Sequence, residues 1–203
     1  MAFAFFANAE EGSSPESVVA KATTDLISKL NSTPVEGRTD EVVRQLVLDH
    51  IVPVIDQRRI AMSILKKYWR IASDEQRNEF IERFTELQIR TYSGAFKAFN
   101  GEQLDFKEAR YNSKGNQAIV KGELIQTNGN LIPIDFVLYQ DKDDKQWRIV
   151  DAVVSGLKMV NTYHDQMSER LAGTNPSNAK ERIDQLLVEL AEEAKAKAQD
   201  AEG

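Results

Sequence analysis

The hydrophobic pattern of this chain changes its period twice, and these two changes limit the folds that the chain can adopt. From about residue 13 to residue 99, apolar side chains recur at spacings of three and four, which predicts helices. After Asn100-Gly101 the spacing becomes two, which predicts strands, and after Gly156 the helical spacing returns. Helices on both sides of one block of strands predict an α+β fold with helices around a sheet.

Four segments with the two-residue period are joined by short sequences rich in Asn, Asp, Gly and Lys. These segments cover residues 104–112, 117–127, 131–139 and 146–154. Because the connections have hairpin length, we expect a curved four-stranded antiparallel sheet. In the third strand, alternation places Asp135 and Tyr139 on one face. The opposite face is apolar throughout and carries Ile132, Ile134, Phe136 and Leu138.

The fourth strand is apolar on both faces and leads through Ser155-Gly156 into an amphipathic helix. Regular alternation predicts two apolar sets, Trp147, Ile149 and Val153 on one face and Val150, Ala152 and Val154 on the other. Both faces are therefore covered, either by a packed core or by an apolar cavity. Asp151 is the one acid among these residues, and we expect it to bond to backbone N–H groups where the strand turns into the helix.

A long helix is predicted to begin at Ser73, because Ser73 and Gln76 have the spacing of a capping box. It continues to about residue 99 and has a wide apolar arc with many aromatic side chains, among them Phe84, Tyr92 and Phe96. An aromatic stripe at helical spacing is typical of a protein core. The same stripe also suits the wall of a site for an apolar ligand, so both interpretations stay open.

Composition argues against several classes of function. The 203 residues include 26 Lys and Arg against 32 Asp and Glu, a net charge of -6, so we expect no nucleic acid partner. The chain has no cysteine and only two histidines, His50 and His164, so we expect neither thiolate chemistry nor a metal site. Motifs for nucleotide phosphates or a nucleophilic serine are absent from the sequence. We therefore predict a protein that is not an enzyme and needs no cofactor.

The N-terminus has features of an export signal. Residues 2–7 are apolar, and Ala7-Asn8-Ala9 followed by Glu10 fits the small-x-small pattern before a cleavage site. The basic start and half of the usual apolar length are missing, so residues 1–12 are interpreted as a residual export signal. In an alternative interpretation, Phe3, Phe5 and Phe6 pack on the surface or fray. A single domain is expected over residues 13–190, with a frayed, charged tail over residues 191–203.

Two blocks of sequence combine tryptophan, acidic, glycine and aromatic residues at characteristic spacings. The first block reads KYWRIASDEQ over residues 67–76, followed by Phe80, Phe84 and Tyr92. The second reads WRIVD over residues 147–151, followed by Gly156, Leu157, Val160 and Tyr163. In order and spacing they resemble the MlaC family of periplasmic phospholipid-binding proteins, also described as toluene-tolerance auxiliary proteins. The chain departs from the family pattern at Ser155, Lys158 and His164, where an acid, Ser and Arg are common.

The resemblance implies a fold related to the NTF2-like group, with a deep apolar pocket between sheet and helices. It implies a soluble carrier of phospholipid cargo that maintains the lipid asymmetry of the outer membrane. Its partners would be an outer-membrane lipoprotein complex and an inner-membrane ABC transporter with an MCE-domain protein.

The positions of this chain that match family motifs are Trp69, Phe84, Tyr92, Trp147, Asp151, Gly156 and Leu157. We assign structural roles to Asp151 and Gly156 and take the others as lipid-binding. The face analysis adds further pocket-wall candidates, namely Phe96, Ile132, Ile134, Phe136, Leu138, Ile149, Val153 and Val160. Two alternatives remain: a cavity enzyme of the NTF2-like type with Asp135 or Asp151 as base, and a lipid-free, protein-binding adaptor with a fully packed core.

Overall fold

The computed structural model describes residues 13–200, in which the chain forms seven α-helices and six β-strands. The helices are α1 Pro15–Ser32, α2 Asp40–His50, α3 Gln57–Leu65, α4 Lys67–Ile71, α5 Asp74–Lys97, α6 Met159–Arg170 and α7 Ala179–Asp200. The strands are β1 Gln103–Phe106, β2 Arg110–Tyr111, β3 Gln117–Ile125, β4 Leu131–Gln140, β5 Trp147–Val154 and β6 Leu157–Lys158. This order confirms the α+β class. The predicted signal over residues 1–12 lies outside the described residues.

Side chains cap the first turns of the N-terminal helices. The predicted capping box is present at α5, where Ser73 accepts from the N–H of Gln76 and the Gln76 side chain accepts from the N–H of Ser73. The helical spacing seen over residues 13–99 continues from Asp56 to Arg70 and predicts one helix there, but the structure has two. Lys66 has a φ of 47°, which breaks the segment into α3 and the short α4. None of the helices within residues 13–200 is long and apolar enough to cross a membrane.

The sheet is antiparallel and larger than predicted, because it has six strands instead of four. Its order is β1-β3-β4-β5-β6, and the short β2 also pairs with β3. The first predicted strand is split into β1 and β2, since the N–H of Ala109 donates to the Glu16 carboxylate of α1. The last strand forms because Ser155 and Gly156 both have positive φ, 50° and 85°, and turn the chain back onto β5. Gly156 is therefore part of a hairpin turn, and α6 begins only after β6, at Met159.

A β-bulge in β5 changes which side chains share a face. Leu138 of β4 pairs with Ile149, whereas the preceding Val137 pairs with Asp151, so Val150 has no partner residue in the ladder. Beyond the bulge the alternation is therefore reversed. The prediction that Val153 shares a face with Trp147 and Ile149 is wrong, because Val153 pairs with Asp135 on the opposite face.

Buried apolar side chains form three separate clusters. The largest is formed by side chains of the five helices α3, α4, α5, α6 and α7, among them Trp69, Phe80 and Phe84. The second lies between α1 and the sheet, and the third between α2 and α5. Helix α7 continues past the predicted domain boundary at residue 190, and Ala194 is buried in the first cluster. The packed core is thus divided, and the sheet carries only one of its three parts.

Candidate functional site

One face of the sheet has a covered end and an open end. At the covered end, Val18 and Val19 of α1 pack on buried side chains of β3, β4 and β5, which are Ala118, Val120, Leu138, Trp147 and Ile149. Toward the open end the same face continues with apolar side chains that are only half-buried. We call this half-buried set the apolar strip; it consists of Leu104, Phe106, Leu124, Ile132, Ile134, Phe136, Ala152 and Val154.

Strand pairing places the members of the apolar strip side by side. Leu124 pairs with Leu104 on one side and Ile132 on the other, and Ile134 and Phe136 pair with Val154 and Ala152. Paired residues of an antiparallel ladder point to the same face. The strip therefore crosses β1, β3, β4 and β5 as one continuous apolar surface.

Gly122 lets an aromatic ring lie flat against this surface. A Cβ atom at Gly122 would stand 3.0 Å from both the Phe106 ring and the carbonyl oxygen of Ile134. Only glycine therefore leaves room for the Phe106 ring over β3. Phe106 in turn meets Phe136 edge to face, with ring centroids 6.1 Å apart. The two rings mark the boundary between the covered end and the apolar strip.

Helix α5 does not close the strip by packing on it. Its main contacts are with α7, α2 and α3, whereas the helices that pack on strands are α1, α3 and α6. The C-terminal half of α5 carries Phe96, which is half-buried at the rim of the α2–α5 cluster, and Tyr92, which is 40% exposed. The main contacts of α5 are therefore with other helices and not with strands.

The structure divides the predicted wall residues among several environments. Ile132, Ile134 and Phe136 belong to the apolar strip, and Leu138, Trp147 and Ile149 belong to the covered end of the same face. Trp69 and Phe84 are buried in the helical cluster, with Val160 at its rim. Leu157 pairs with Val154 and so shares the face of the strip, but its side chain is 67% exposed.

Asp151 connects the sheet to the first turn of α6. Its Oδ1 atom accepts a hydrogen bond of 3.0 Å from the N–H of Val160. Lys158 precedes the helix and offers no side-chain cap, so the carboxylate of Asp151 satisfies a donor that a cap would otherwise bind. This is the structural arrangement expected from the sequence for Asp151.

A polar group lies between α5 and α6. The hydroxyls of Tyr92 and Tyr163 are 2.9 Å apart, and the Tyr163 ring meets Phe84 edge to face with centroids 5.0 Å apart. Burial, together with the hydrogen bond to Tyr92, raises the pKa of Tyr163. Gln88 lies one turn before Tyr92, and its amide nitrogen is buried without a hydrogen-bond partner. The sequence analysis missed Gln88, although its spacing of four from Tyr92 places both on one helix face.

Among residues 13–200, two surface grooves have a defined volume, and neither lies between the sheet and α5, where the deep pocket is predicted. A groove of about 680 Å³ lies between α2, α5 and α7, with Leu48, Val52 and Ile89 among its apolar lining residues. Its rim includes Glu86; burial opposes ionisation there, but hydrogen bonds from Arg44 and Arg90 prevail and lower the pKa of Glu86. A second groove of about 430 Å³ lies beside α1 and includes Trp147. The other predicted wall residues line neither groove.

The fold and site define a class of α+β protein in which long helices stand beside an open antiparallel sheet with a half-buried apolar surface. The chain belongs to the MlaC family, since the family model described as "MlaC protein" matches residues 20–192. This confirms the resemblance drawn from the two sequence blocks.

Individual relatives agree with the family match. The chain is 25% identical over 184 residues to a toluene tolerance protein, ttg2D, of Pseudomonas putida, covering 90% of this chain and 84% of the relative. It is 23% identical over 150 residues to the "Intermembrane phospholipid transport system binding protein MlaC" of Haemophilus influenzae, covering 72% and 70%. A solved phospholipid-binding protein from Ralstonia solanacearum, in complex with a phospholipid, is similar in fold with a TM-score of 0.80. That structure is 24% identical and covers 92% of this chain and 99% of its own.

Proposed function

We propose that this protein is a periplasmic phospholipid carrier that holds acyl chains against the apolar strip. Membership of the MlaC family supports this proposal, as do a relative named for intermembrane phospholipid transport and a fold neighbour with bound phospholipid. The observation that carries it is the half-buried state of the strip. Eight apolar side chains share one face of the sheet, yet none of them is fully buried.

Hydrophobic transfer supplies enough free energy for this role without specific polar contacts. Each methylene removed from water contributes about 0.8 kcal/mol, so one long acyl chain contributes on the order of 10 kcal/mol. The strip follows β4 from Ile132 to Phe136, about 13 Å along the strand at 3.3 Å per residue. Acyl chains bound along this surface would bury the apolar area of the strip that the helices leave exposed.

The acid-base alternative finds less support in the geometry. Asp135 lies 3.7 Å from the ammonium group of Lys121, on the face opposite the strip. Asp151 is engaged with the N–H of Val160. Within residues 13–200, no group of three or more His, Asp or Glu side chains is placed to hold a metal ion. Both carboxylates therefore have structural partners and lie away from the apolar strip.

The proposal extends to location and partners. A carrier of this kind shuttles phospholipid between an outer-membrane lipoprotein complex and an inner-membrane ABC transporter that includes an MCE-domain protein. The family membership and the name of the Haemophilus influenzae relative support this assignment. The cargo is phospholipid, and no further cofactor is needed for its transfer.

Lipid analysis of gently purified protein tests the proposal. We expect organic extraction and mass spectrometry to find phospholipid in a fixed ratio to protein, and lipid-stripped protein to take up labelled phospholipid from vesicles. Protein that carries no lipid and takes none up would contradict the carrier function and favour the adaptor with a packed core. As a matched control, Ile119→Glu places a charge on the opposite sheet face, where Ile119 is already exposed, and should not change lipid content.

A further inference from the structure

The side chains of Gln88, Tyr92 and Tyr163 lie between α5 and α6 and include a buried hydrogen-bond donor without a partner. The two hydroxyls of Tyr92 and Tyr163 share one hydrogen bond, in which one hydroxyl donates and the other accepts. The accepting hydroxyl still has a proton to donate. The buried amide nitrogen of Gln88 adds two N–H donors; it lies near the Tyr163 hydroxyl but does not meet it in hydrogen-bond geometry.

A buried donor without an acceptor destabilises a folded protein, so this group has a cost in the lipid-free state. Removing such a donor from water is unfavourable when no partner replaces the water. The hydroxyl of Tyr163 is protonated at neutral pH, as an ordinary tyrosine is, and burial raises its pKa further. The unpaired N–H groups of Gln88 and the remaining hydroxyl proton of the tyrosine pair can both donate to a ligand, and oxygen acceptors of a ligand would satisfy them.

The position of the group relates it to the apolar strip. Leu157 at the start of β6 shares the face of the strip, and α6 begins two residues later at Met159. Tyr163 is four residues into α6, about 6 Å along the helix axis. Tyr92 is 40% exposed, so solvent and ligands reach the pair from outside. The inner side is apolar, since the Tyr163 ring lies against Phe84.

We propose that Gln88, Tyr92 and Tyr163 form a binding subsite for the oxygen acceptors of a phospholipid, either an ester carbonyl or a phosphate oxygen. This inference rests on the carrier function proposed above and adds a polar anchor to it. The acyl chains are held by hydrophobic contact, which does not depend on headgroup or linkage. The subsite fixes how far the chains enter and selects lipids with an acceptor at that depth.

Three lipid probes separate the two sources of acceptor. Binding of lipid-stripped protein is measured with dioleoyl phosphatidylethanolamine, with its diether analogue, which lacks ester carbonyls, and with dioleoylglycerol, which lacks the phosphate. We expect Tyr163→Phe and Gln88→Leu each to weaken binding of the ester phospholipid about three- to tenfold. If the ester carbonyl is the acceptor, the variants and the parent should bind the diether equally well. If the phosphate is the acceptor, they should bind dioleoylglycerol equally well.

Stability measurements keep the test independent of misfolding. Gln88→Leu removes an unpaired buried donor, so the lipid-free variant should melt about 2–4 °C higher than the parent protein while binding phospholipid less well. Tyr111→Phe is the matched control, because Tyr111 is exposed on β2 and its ring packs on Trp147. Its affinity for all three lipids should equal that of the parent.

Two results would overturn the subsite. One is unchanged affinity of both variants for the ester phospholipid, and the other is an equal loss for all three probes, which indicates a change of shape only. Failure of the carrier proposal looks different, since the parent protein itself would then bind none of the three lipids.

Discussion

Strand β4 carries the same kind of side chain along one face, yet its two ends have different surroundings. Leu138 at one end is 0% exposed and packs beneath α1 with Val120. Ile132 and Ile134 at the other end point to the same face and are only half-buried. The residue types do not explain the contrast. The difference comes from α1, whose Val18 and Val19 cover the first end and stop short of the second.

The contrast separates stability from function within one strand. Hydrophobic free energy scales with the apolar area removed from water, at about 25 cal/mol per Å². At the covered end, folding buries the apolar side chains and this free energy stabilises the protein. At the apolar strip, folding leaves part of the apolar area exposed to water, and a bound ligand can bury it. A protein that exposes a continuous apolar surface without such a ligand would be prone to association.

The largest effect is expected for Leu138→Ala at the covered end. Removing a fully buried leucine side chain leaves a cavity and should lower the free energy of unfolding by about 2–5 kcal/mol. Urea titration of lipid-free protein measures this loss. The affinity of the folded variant for phospholipid should stay close to that of the parent, because Leu138 lies beneath α1. A large loss of lipid affinity in the folded variant would contradict the division of this sheet face into a covered end and a lipid-binding strip.

Compared with Leu138→Ala, Ile134→Ala should lower the stability less and the affinity for lipid more. The side chain is only half-buried without lipid, so we expect a loss of about 1–2 kcal/mol in the free energy of unfolding. Lipid affinity should fall about fivefold, since acyl chains lose contact with the strip. Parallel urea and lipid titrations compare the two quantities. If Ile134→Ala behaved like Leu138→Ala in both measurements, the strip would be ordinary core.

Gly156→Ala tests the hairpin that ends the sheet beside the strip. The φ of Gly156 is 85°, a conformation that alanine adopts only with strain, although no atom lies within 4 Å of the site of its Cβ. We expect a loss of about 1 kcal/mol in the free energy of unfolding. Ser155→Gly is the opposite test, because it relieves the positive φ of Ser155 and should stabilise the hairpin slightly. Equal stability of both variants and the parent would mean that the turn geometry is wrong.

The smallest effect is expected for Leu157→Glu. The side chain is 67% exposed, so the free energy of unfolding should change by less than about 0.5 kcal/mol. Leu157 nevertheless shares the face of the strip through its pairing with Val154, and a charge there should reduce lipid uptake. Thermal unfolding and lipid uptake from vesicles measure the two effects. Unchanged uptake would place Leu157 outside the lipid site.

Local patterns predicted the elements of this fold well. The capping box at Ser73 and Gln76 gave the start of α5, and alternation in β4 correctly joined Ile132, Ile134, Phe136 and Leu138 on one face. These features depend on neighbours within four residues, so one sequence contains them. The split of the first predicted strand depends on Glu16, 93 residues away from Ala109, and no local pattern indicates such a contact.

The candidate site was harder to predict, because its members come from four strands. The bulge at Val150 moved Val153 to the opposite face, and nothing in the apolar run around Val150 indicates where the extra residue lies. Other members of the strip, such as Leu104 and Leu124, depend on the register between β1 and β3. The role of the predicted wall residues in lipid binding stays a prediction, which the variants above test.

By itself, the sequence determined the α+β class, the order of most elements, the family and the apolar face of β4. Periodicity and capping are local, and motif spacing is read along the chain, so they need no knowledge of distant contacts. The tertiary structure decided the number of strands, the reversal of faces in β5 and the division of one sheet face into a covered end and an open strip. Those outcomes depend on strand register, on contacts between distant residues and on which helix lies over which strand, because pairing and burial are set by surroundings and not by residue type.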